Sequence, residues 1–305
     1  MTFRQARIRK NLELRARILQ AIRSFFSENN YLEVETPSRI PAPIPEAHIE
    51  AEPSGRWYLH PSPEICMKQL LAAGYPRIFQ ICRCFRKDER GDRHLPELTM
   101  LEWYTQDADY MDLMTQCEHL IQTVAFKVCS GDVLKYQGRS VELNSPWERI
   151  AVADAFDRYS SVSMVQALEQ QRFDEIMALE IEPHLGREKP LFIYDYPVTK
   201  TALAKRTDDA ETTAQRFELY IAGVEICNAF SELTDPDEQK ARFEGENDLR
   251  RKAGKTVYPM SEHFLAALKD LPAAAGNALG IDRLVMLFAG ARHIDDVVAF
   301  APEEL

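Results

Sequence analysis

Apolar side chains recur at every second position in two neighbouring segments, residues 77–86 and 98–104, and this alternation predicts two β-strands. The eleven residues between them are mostly charged, which is typical of a solvated hairpin tip or of a functional loop. Arg86 lies at the mouth of that loop, and Glu102 and Tyr104 share one face of the returning strand. This arrangement suits an anionic ligand that also carries an amine.

A second hairpin is predicted where two apolar strands flank Ala222 and Gly223 as a two-residue turn. Pairing outward from the turn predicts an apolar face of Leu219, Ile221, Val224 and Ile226, and an opposite face of Glu218, Tyr220, Glu225 and Cys227, with Glu218 opposite Cys227. Glu218 and Glu225 become diagonal neighbours, roughly 7–8 Å apart at the backbone. Two carboxylates this close favour Mg²⁺ binding over two independent surface glutamates.

The remaining pattern predicts several helices and two further strands around these hairpins. Helices are expected at residues 8–29, 62–74, 109–131, 151–159, 164–179, 235–254 and 282–290, and strands at residues 32–35 and 190–197. Ser62 is the expected N-cap of the second helix, with Pro63 at the first helical position and Glu64 in the first turn. Four prolines make residues 38–53 an irregular segment.

Composition indicates an ordinary globular protein. Among 305 residues, 45% are hydrophobic and 28% are charged, enough to bury the core of one large domain. An apolar run of about eighteen residues and a signal-like start are both missing, so we expect a cytoplasmic protein without membrane contact. The net charge of −11 disfavours a broad nucleic-acid surface. Six cysteines lack zinc-like spacing, and Cys82 and Cys84 are expected to be packed thiols.

The run CRCFR, RH, PE and TMLEWY within residues 82–104 resembles motif 2 of the class II aminoacyl-tRNA synthetases, specifically the lysyl-tRNA synthetase branch. Within that branch it is most similar to the short paralogues that ligate β-lysine to elongation factor P. Residues 8–37 resemble motif 1, a homodimer interface, and residues 276–290 resemble motif 3. The resemblance implies an α+β fold, with an antiparallel β-sheet flanked by helices. Residues 1–305 would form one catalytic domain, with about residues 132–190 inserted between motifs 2 and 3.

The same resemblance implies roles for individual residues, with Arg86 and Arg283 as the catalytic pair. The implied ATP contacts are Arg86, Lys87, Asp88, His94, Leu95, Leu98, Glu225, Ile226, Gly280 and Arg283. The implied substrate contacts are Ser62, Pro63, Glu64, Glu102, Tyr104, Asn228, Glu232 and Ala278, and the implied magnesium ligands are Glu218 and Glu225. Strict alternation from Glu225 puts Asn228 and Glu232 on the apolar face, so these roles require a β-bulge or a strand end after Glu225.

Four of the implied ATP contacts depart from the residues usual in the family. Asp88 replaces a glutamate, Leu98 a phenylalanine and Leu95 an asparagine, and Lys87 is also unusual. These changes affect the expected contacts with the nucleotide base rather than those with the phosphates.

The implied function is ATP- and Mg²⁺-dependent activation of (R)-β-lysine as an adenylate, followed by transfer to a lysine ε-amine of elongation factor P. We do not expect contact with a tRNA anticodon. Only about thirty residues precede the end of the segment that resembles motif 1, whereas an anticodon-binding domain needs roughly a hundred residues. Ala278 stands where the synthetases have glycine, which favours β-lysine over α-lysine. The alternatives are a truncated synthetase-like enzyme that activates α-lysine for another acceptor, and a catalytically silent regulatory paralogue.

Overall fold

The computed structural model describes residues 3–129, 131–144, 146–208 and 212–305. The strands are β1 (Leu32–Glu33), β2 (Arg39–Ile40), β3 (Pro53–Ser54), β4 (Trp57–Leu59), β5 (Arg77–Phe85), β6 (Glu97–Gln106), β7 (Val133–Tyr136), β8 (Arg139–Glu142), β9 (Glu148–Ala151), β10 (Leu191–Pro197), β11 (Thr213–Ile221), β12 (Val224–Ser231) and β13 (Ala274–Gly280). The α-helices are α1 (Arg4–Arg7), α2 (Arg9–Glu28), α3 (Glu64–Ala72), α4 (Tyr110–Cys129), α5 (Val152–Tyr159), α6 (Met164–Glu169), α7 (Phe173–Ile176), α8 (Pro236–Lys252), α9 (Glu262–Ala267) and α10 (Ile281–Phe288).

The main sheet has eight strands in the order β1-β5-β6-β13-β12-β11-β10-β9. Its six central strands are antiparallel, as predicted, but β1 pairs with β5 and β9 pairs with β10 in parallel. The sheet is therefore mixed at both edges, because both edge strands are joined to their neighbours by crossover connections that contain helices. The α+β class is confirmed.

One face of this sheet packs against α2, α4 and α10 to form the main apolar core. Phe26 of α2 stacks on Phe79 of β5 at 4.7 Å between ring centroids and also contacts Trp103 of β6. The helix predicted at residues 8–29 therefore exists because its apolar stripe covers the sheet. The opposite face carries the polar residues described below.

The hairpin of β5 and β6 has the predicted alternation. Gln80 pairs with Glu102, and Ile78 pairs with Tyr104, so Glu102 and Tyr104 lie on the face opposite α2. Arg86 directly follows β5, and its backbone N–H donates to the carbonyl of Pro96 at 2.8 Å. The long charged loop therefore begins and ends where the chain segments that continue β5 and β6 are hydrogen-bonded to each other.

The hairpin of β11 and β12 turns at Ala222 and Gly223, whose φ angles of 56° and 75° match the type I′ turn expected for two residues. Ile221 pairs with Val224 and Tyr220 pairs with Glu225, as predicted.

A β-bulge then changes the register of this hairpin. Leu219 pairs with Cys227 and Glu218 pairs with Asn228, so Ile226 is the extra residue. The predicted pairing of Glu218 with Cys227 is wrong, because Cys227 lies in the apolar core. The bulge brings Asn228 to the same face as Glu225, as the implied roles of these residues required.

Residues 132–190 are only partly separate from the sheet. The hairpin of β7 and β8 and helix α5 lie beside it, but β9 forms its last strand. The helix predicted at residues 164–179 is interrupted after α6, where Gln171 has a left-handed φ of 56°. It continues as α7 and a π-helix, Met177–Ile181. No helix of the described residues is long and apolar enough to cross a membrane.

Gly186 holds the insertion against β11 and gives a first test of the fold. Its φ is +65°, and an added Cβ would lie 2.2 Å from the carbonyl oxygen of Tyr220. Gly186→Ala should lower the free energy of unfolding by about 3 kcal/mol or more, because left-handed strain adds to a backbone clash. Urea denaturation measures the loss.

Gly74→Ala is the matched control for this substitution. Gly74 also has a left-handed φ, +93°, but an added Cβ would meet nothing within 4 Å. We expect a loss of only about 1–2 kcal/mol from strain. Equal losses in the two variants would contradict the close approach of Gly186 to Tyr220.

Candidate active site

A cleft opens on the sheet face opposite α2, between α3, the loop after β5 and the start of α10. Its lining contains fourteen of the residues predicted from the sequence: Ser62, Glu64, Arg86, His94, Leu95, Leu98, Glu102, Tyr104, Glu225, Ile226, Asn228, Ala278, Gly280 and Arg283. Residues from four separate parts of the chain therefore converge on one space, which carries cationic and acidic groups side by side.

Five predicted residues lie outside this lining. Pro63 is buried at the start of α3, and Glu218 and Glu232 are buried behind the cleft wall. Lys87 and Asp88 are exposed on the loop. Asp88 has a left-handed φ of 63°, and the next residue, Glu89, lines the cleft in its place.

Arg283 is the anchored cation of the cleft. One terminal nitrogen, Nη1, donates to the Glu225 carboxylate at 2.9 Å and to the Glu225 carbonyl at 3.1 Å. The other, Nη2, lies 2.6 Å from Nε2 of His94, and Nε donates to the carbonyl of Arg93. Burial and the nearby guanidinium of Arg283 lower the pKa of His94, so its ring stays neutral. Arg283 therefore joins α10 to the loop after β5.

Arg86 is the less constrained cation. Its side chain is half-buried, and its described ion pair is a long 3.8 Å contact with Glu89. The buried Nε has no hydrogen-bond partner among the described residues. A guanidinium in this state is well suited to bind an oxyanion, because buried donors gain most from a charged acceptor.

Glu102 lies at the centre of an acidic pocket within the cleft. It accepts hydrogen bonds from Ser62 Oγ at 2.8 Å and from the Tyr104 hydroxyl at 2.5 Å. Burial and the neighbouring Glu64 raise its pKa well above the ordinary value. Ser62 Oγ also accepts from the backbone N–H of Glu64 at 3.0 Å, so the start of α3 positions both acids.

Lys68 is a buried cation that the sequence analysis did not identify. Its ammonium contacts Glu64 at 2.5 Å and also Glu232, and it lies 5.1 Å from the centre of the Phe230 ring. Glu64 and Glu232 share this one ammonium, and Glu102 lies beside Glu64, so three buried acids surround a single cation. Burial raises the pKa of Glu232 to about 8 although Lys68 opposes the rise. The sequence did contain a signal for Lys68. It lies four residues after Glu64 in a predicted helix, and residues at this spacing are neighbours on the helix surface.

Gly276 makes room for this pocket. An added Cβ would lie 2.3 Å from Cε1 of Tyr104 and 2.5 Å from Oε1 of Glu232. Gly276 pairs with Tyr104 on β6 and with Phe230 on β12, so any larger residue would enter the pocket.

Glu46 also lines the cleft and was missed, because it lies in the irregular proline-rich segment. Burial and Glu64 raise the pKa of Glu46 to about 7.

Glu218 and Glu225 interact electrostatically, as the predicted metal pair requires. Burial raises the pKa of Glu218, and Glu225 raises it further. Tyr196, Tyr220 and Arg216 all donate to the Glu218 carboxylate.

Glu182, from the insertion, is a third acid near this pair. Burial, Glu218 and Glu225 raise its pKa to about 7. It follows the π-helix of the insertion, in a segment where the sequence showed no motif.

Arg216 also fixes the orientation of Asn228. Its Nε donates to Oδ1 of Asn228 at 3.0 Å. Because a guanidinium only donates, the amide of Asn228 must direct its N–H groups elsewhere, and the side chain lines the cleft. Asn228 can therefore donate to a ligand carboxylate.

Comparison with known proteins shows similarity along almost the whole chain. The family model of class II tRNA synthetases (D, K and N) matches residues 1–304. An elongation factor P–(R)-β-lysine ligase of Pectobacterium carotovorum is 40% identical over 311 residues, covering 96% of this chain and 95% of its own. The ligase of the same name from Vibrio atlanticus is 39% identical and covers 98% of both chains. The one from Salmonella arizonae is 39% identical over 95% of this chain.

Lys68 gives a test of the charge balance in the acidic pocket. Lys68→Met should lower the free energy of unfolding by about 3–5 kcal/mol at pH 8, because Glu64 and Glu232 lose their shared cation. The pKa of Glu232 is raised in the folded protein, so its ionised form opposes folding above the unfolded value of about 4.3. The loss should therefore shrink at pH 5, where Glu232 binds a proton. Urea denaturation at both pH values measures it.

The matched control is Lys205→Met. Lys205 forms an exposed 3.1 Å ion pair with Asp208, so we expect a change below about 1 kcal/mol at either pH. A loss in Lys68→Met that is the same at pH 5 and pH 8 would contradict the electrostatic account.

Proposed function

The chain belongs to the class II tRNA synthetases of the aspartate, lysine and asparagine group, and we propose that it ligates (R)-β-lysine to elongation factor P. Its relatives are named as ligases of that type along almost their whole length, and this chain is an amino-acid ligase of the same family. The observation that carries the proposal is the acidic pocket beside the arginines. Three buried acids lie there around one ammonium, which contacts two of them, and a substrate with two amino groups would supply further cations.

The family uses ATP, and the cleft has groups that fit its phosphates. Arg86 offers a buried N–H that has no partner within the described part of the chain, and Arg283 lies on the first turn of α10. Glu218 and Glu225 suit Mg²⁺, which would neutralise phosphate charge when bound. We propose that Arg86 and Arg283 stabilise the charge that develops on the α-phosphate.

The first chemical step needs positioning and positive charge rather than a base. A substrate carboxylate is already ionised at neutral pH, so its attack on the α-phosphorus requires no proton transfer. The two reactants are anions, and the arginines reduce their repulsion. Asn228, oriented by Arg216, would hold the carboxylate, while Glu64, Glu102 and Glu232 hold the amino groups.

Ala278 lies where the two isomers of lysine differ. It pairs with Glu102 on β6 and with Asn228 on β12, so its methyl group stands between the proposed amine and carboxylate contacts. A methyl group at this position crowds an α-amine and suits the amine shifted by one carbon in β-lysine. We further propose a homodimer through the segment that resembles motif 1, and no contact with a tRNA anticodon.

Intact-protein mass spectrometry of elongation factor P tests the ligation. After incubation with this protein, ATP, Mg²⁺ and (R)-β-lysine, we expect the mass of one β-lysyl group per molecule. A variant of the factor without its acceptor lysine is the control and should stay unmodified. A clear preference for α-lysine would assign the alternative substrate, and pyrophosphate exchange stimulated by neither isomer would contradict an active ligase.

Ala278→Gly tests the steric basis of the preference. Removing the methyl group should raise the kcat/KM of adenylate formation with α-lysine by about tenfold, the effect of one methyl group in a packed pocket. The reaction with β-lysine should change less. Pyrophosphate exchange with each isomer measures both. If α-lysine is used no better by Ala278→Gly than by the parent protein, the methyl group does not set the preference.

A further inference from the structure

A buried histidine meets two cysteines outside the residues given roles above. His60 follows β4, and Cys82 and Cys84 lie two residues apart on β5. One ligand atom from each of the three lies within 4.8 Å of the others. The two Sγ atoms are 3.8 Å apart. We propose that His60, Cys82 and Cys84 form a binding site for a thiophilic cation such as Zn²⁺.

The orientation of the imidazole supports a ligand role. Nε2 of His60 lies 2.7 Å from the carbonyl oxygen of Arg83. A carbonyl can only accept, so Nε2 donates to it, and in the neutral tautomer of the ring the lone pair is then on Nδ1. His60 is fully buried, and Nδ1 makes no hydrogen bond of ordinary geometry among the described residues. Histidine ligands are usually held in this way, with the second ring nitrogen donating to a backbone carbonyl.

The sulfur spacing also fits a metal, but it does not decide the matter alone. A tetrahedral zinc ion with Zn–S distances of about 2.3 Å holds two sulfur ligands roughly 3.8 Å apart. The buried pair Cys117 and Cys227 has the same 3.8 Å spacing, however, and Asn277 donates to Cys117. Among the described residues, only the pair on β5 has a histidine close enough to complete three ligands.

The ligand set selects the class of metal. Nitrogen and thiolate ligands favour zinc and other soft cations, whereas Mg²⁺ prefers the carboxylates of the cleft. Two thiolates would neutralise a divalent ion, so the occupied site carries no net charge in its buried surroundings. Met100 places its thioether sulfur 3.9 Å from Cys84 Sγ and could approach the fourth position. Cys82 is only half-buried, which gives the ion a route in.

Zinc titration of the full-length protein tests the site. The protein is reduced, stripped of metal and titrated with Zn²⁺ against a chromophoric chelator, in excess Mg²⁺ to occupy carboxylate sites. We expect one Zn²⁺ per chain, and an affinity at least about 100-fold lower in Cys82→Ser and Cys84→Ser, because each lacks one of three ligands. Zn²⁺ should also raise the melting temperature of the parent protein but not of these variants.

Cys117→Ser is the matched control, because it removes a buried thiol from the other pair and should bind Zn²⁺ as the parent does. A parent protein that binds no stoichiometric Zn²⁺ would overturn the site, as would equal losses in Cys117→Ser and Cys82→Ser. If the serine variants do not fold, the parent protein is titrated with Cd²⁺ instead of Zn²⁺. It must then show the thiolate-to-cadmium absorption expected of two cysteines. Absence of that band also overturns the site. Metal binding is measured without substrates, so the result is independent of the ligase assignment.

Discussion

One extra residue in β12 determines which side chains share the cleft. Without the bulge at Ile226, Glu225 and Asn228 would lie on opposite faces of the sheet, and Asn228 would enter the apolar core. With it, an acid that pairs with Arg283 and an amide held by Arg216 face the same space. The bulge is stable because Cys227 is packed into the core on the other side. The whole arrangement of the site depends on this change of register.

Charge is distributed unevenly along the floor of the cleft. The end formed by the loop after β5 and the start of α10 carries Arg86 and Arg283, while the end beside α3 carries Glu64, Glu102 and Glu232. Buried charges of one sign are costly unless they are paired, and Lys68 offsets only part of the acidic group. An unligated fold therefore holds a local excess of acid that a diammonium ligand would stabilise. In the proposed function, substrate recognition is therefore electrostatic as well as steric.

Sequence reasoning identified the parts of the site that follow from local pattern. Alternation and turn chemistry placed Glu102, Tyr104 and Glu225 on the correct faces, and helix signals placed Glu64 on the first turn of α3. Long-range partners could not be found in this way. Lys68, Arg216, Glu46, Gly276 and Glu182 acquire their roles only when distant segments pack together.

Errors arose where one backbone angle overrides the pattern. The left-handed conformation of Gln171 ends a predicted helix early. The pairing of Glu218 was misplaced because nothing in the residue types of β12 marks Ile226 as the bulged position. Such departures are set by tertiary packing, which a single sequence shows only indirectly.

The ion pair of Arg283 and Glu225 affects how nucleotide and metal would bind together at the proposed site. Both groups are partly exposed, and each already has a partner of opposite sign. An arriving phosphate would therefore exchange with Glu225 for the guanidinium, and a divalent cation would exchange with Arg283 for the carboxylate. Each exchange replaces one ion pair by another. Arg283 and Glu225 both have a new partner only when the phosphate and the divalent cation are both bound. Nucleotide and metal should thus bind with positive thermodynamic coupling, each raising the affinity for the other.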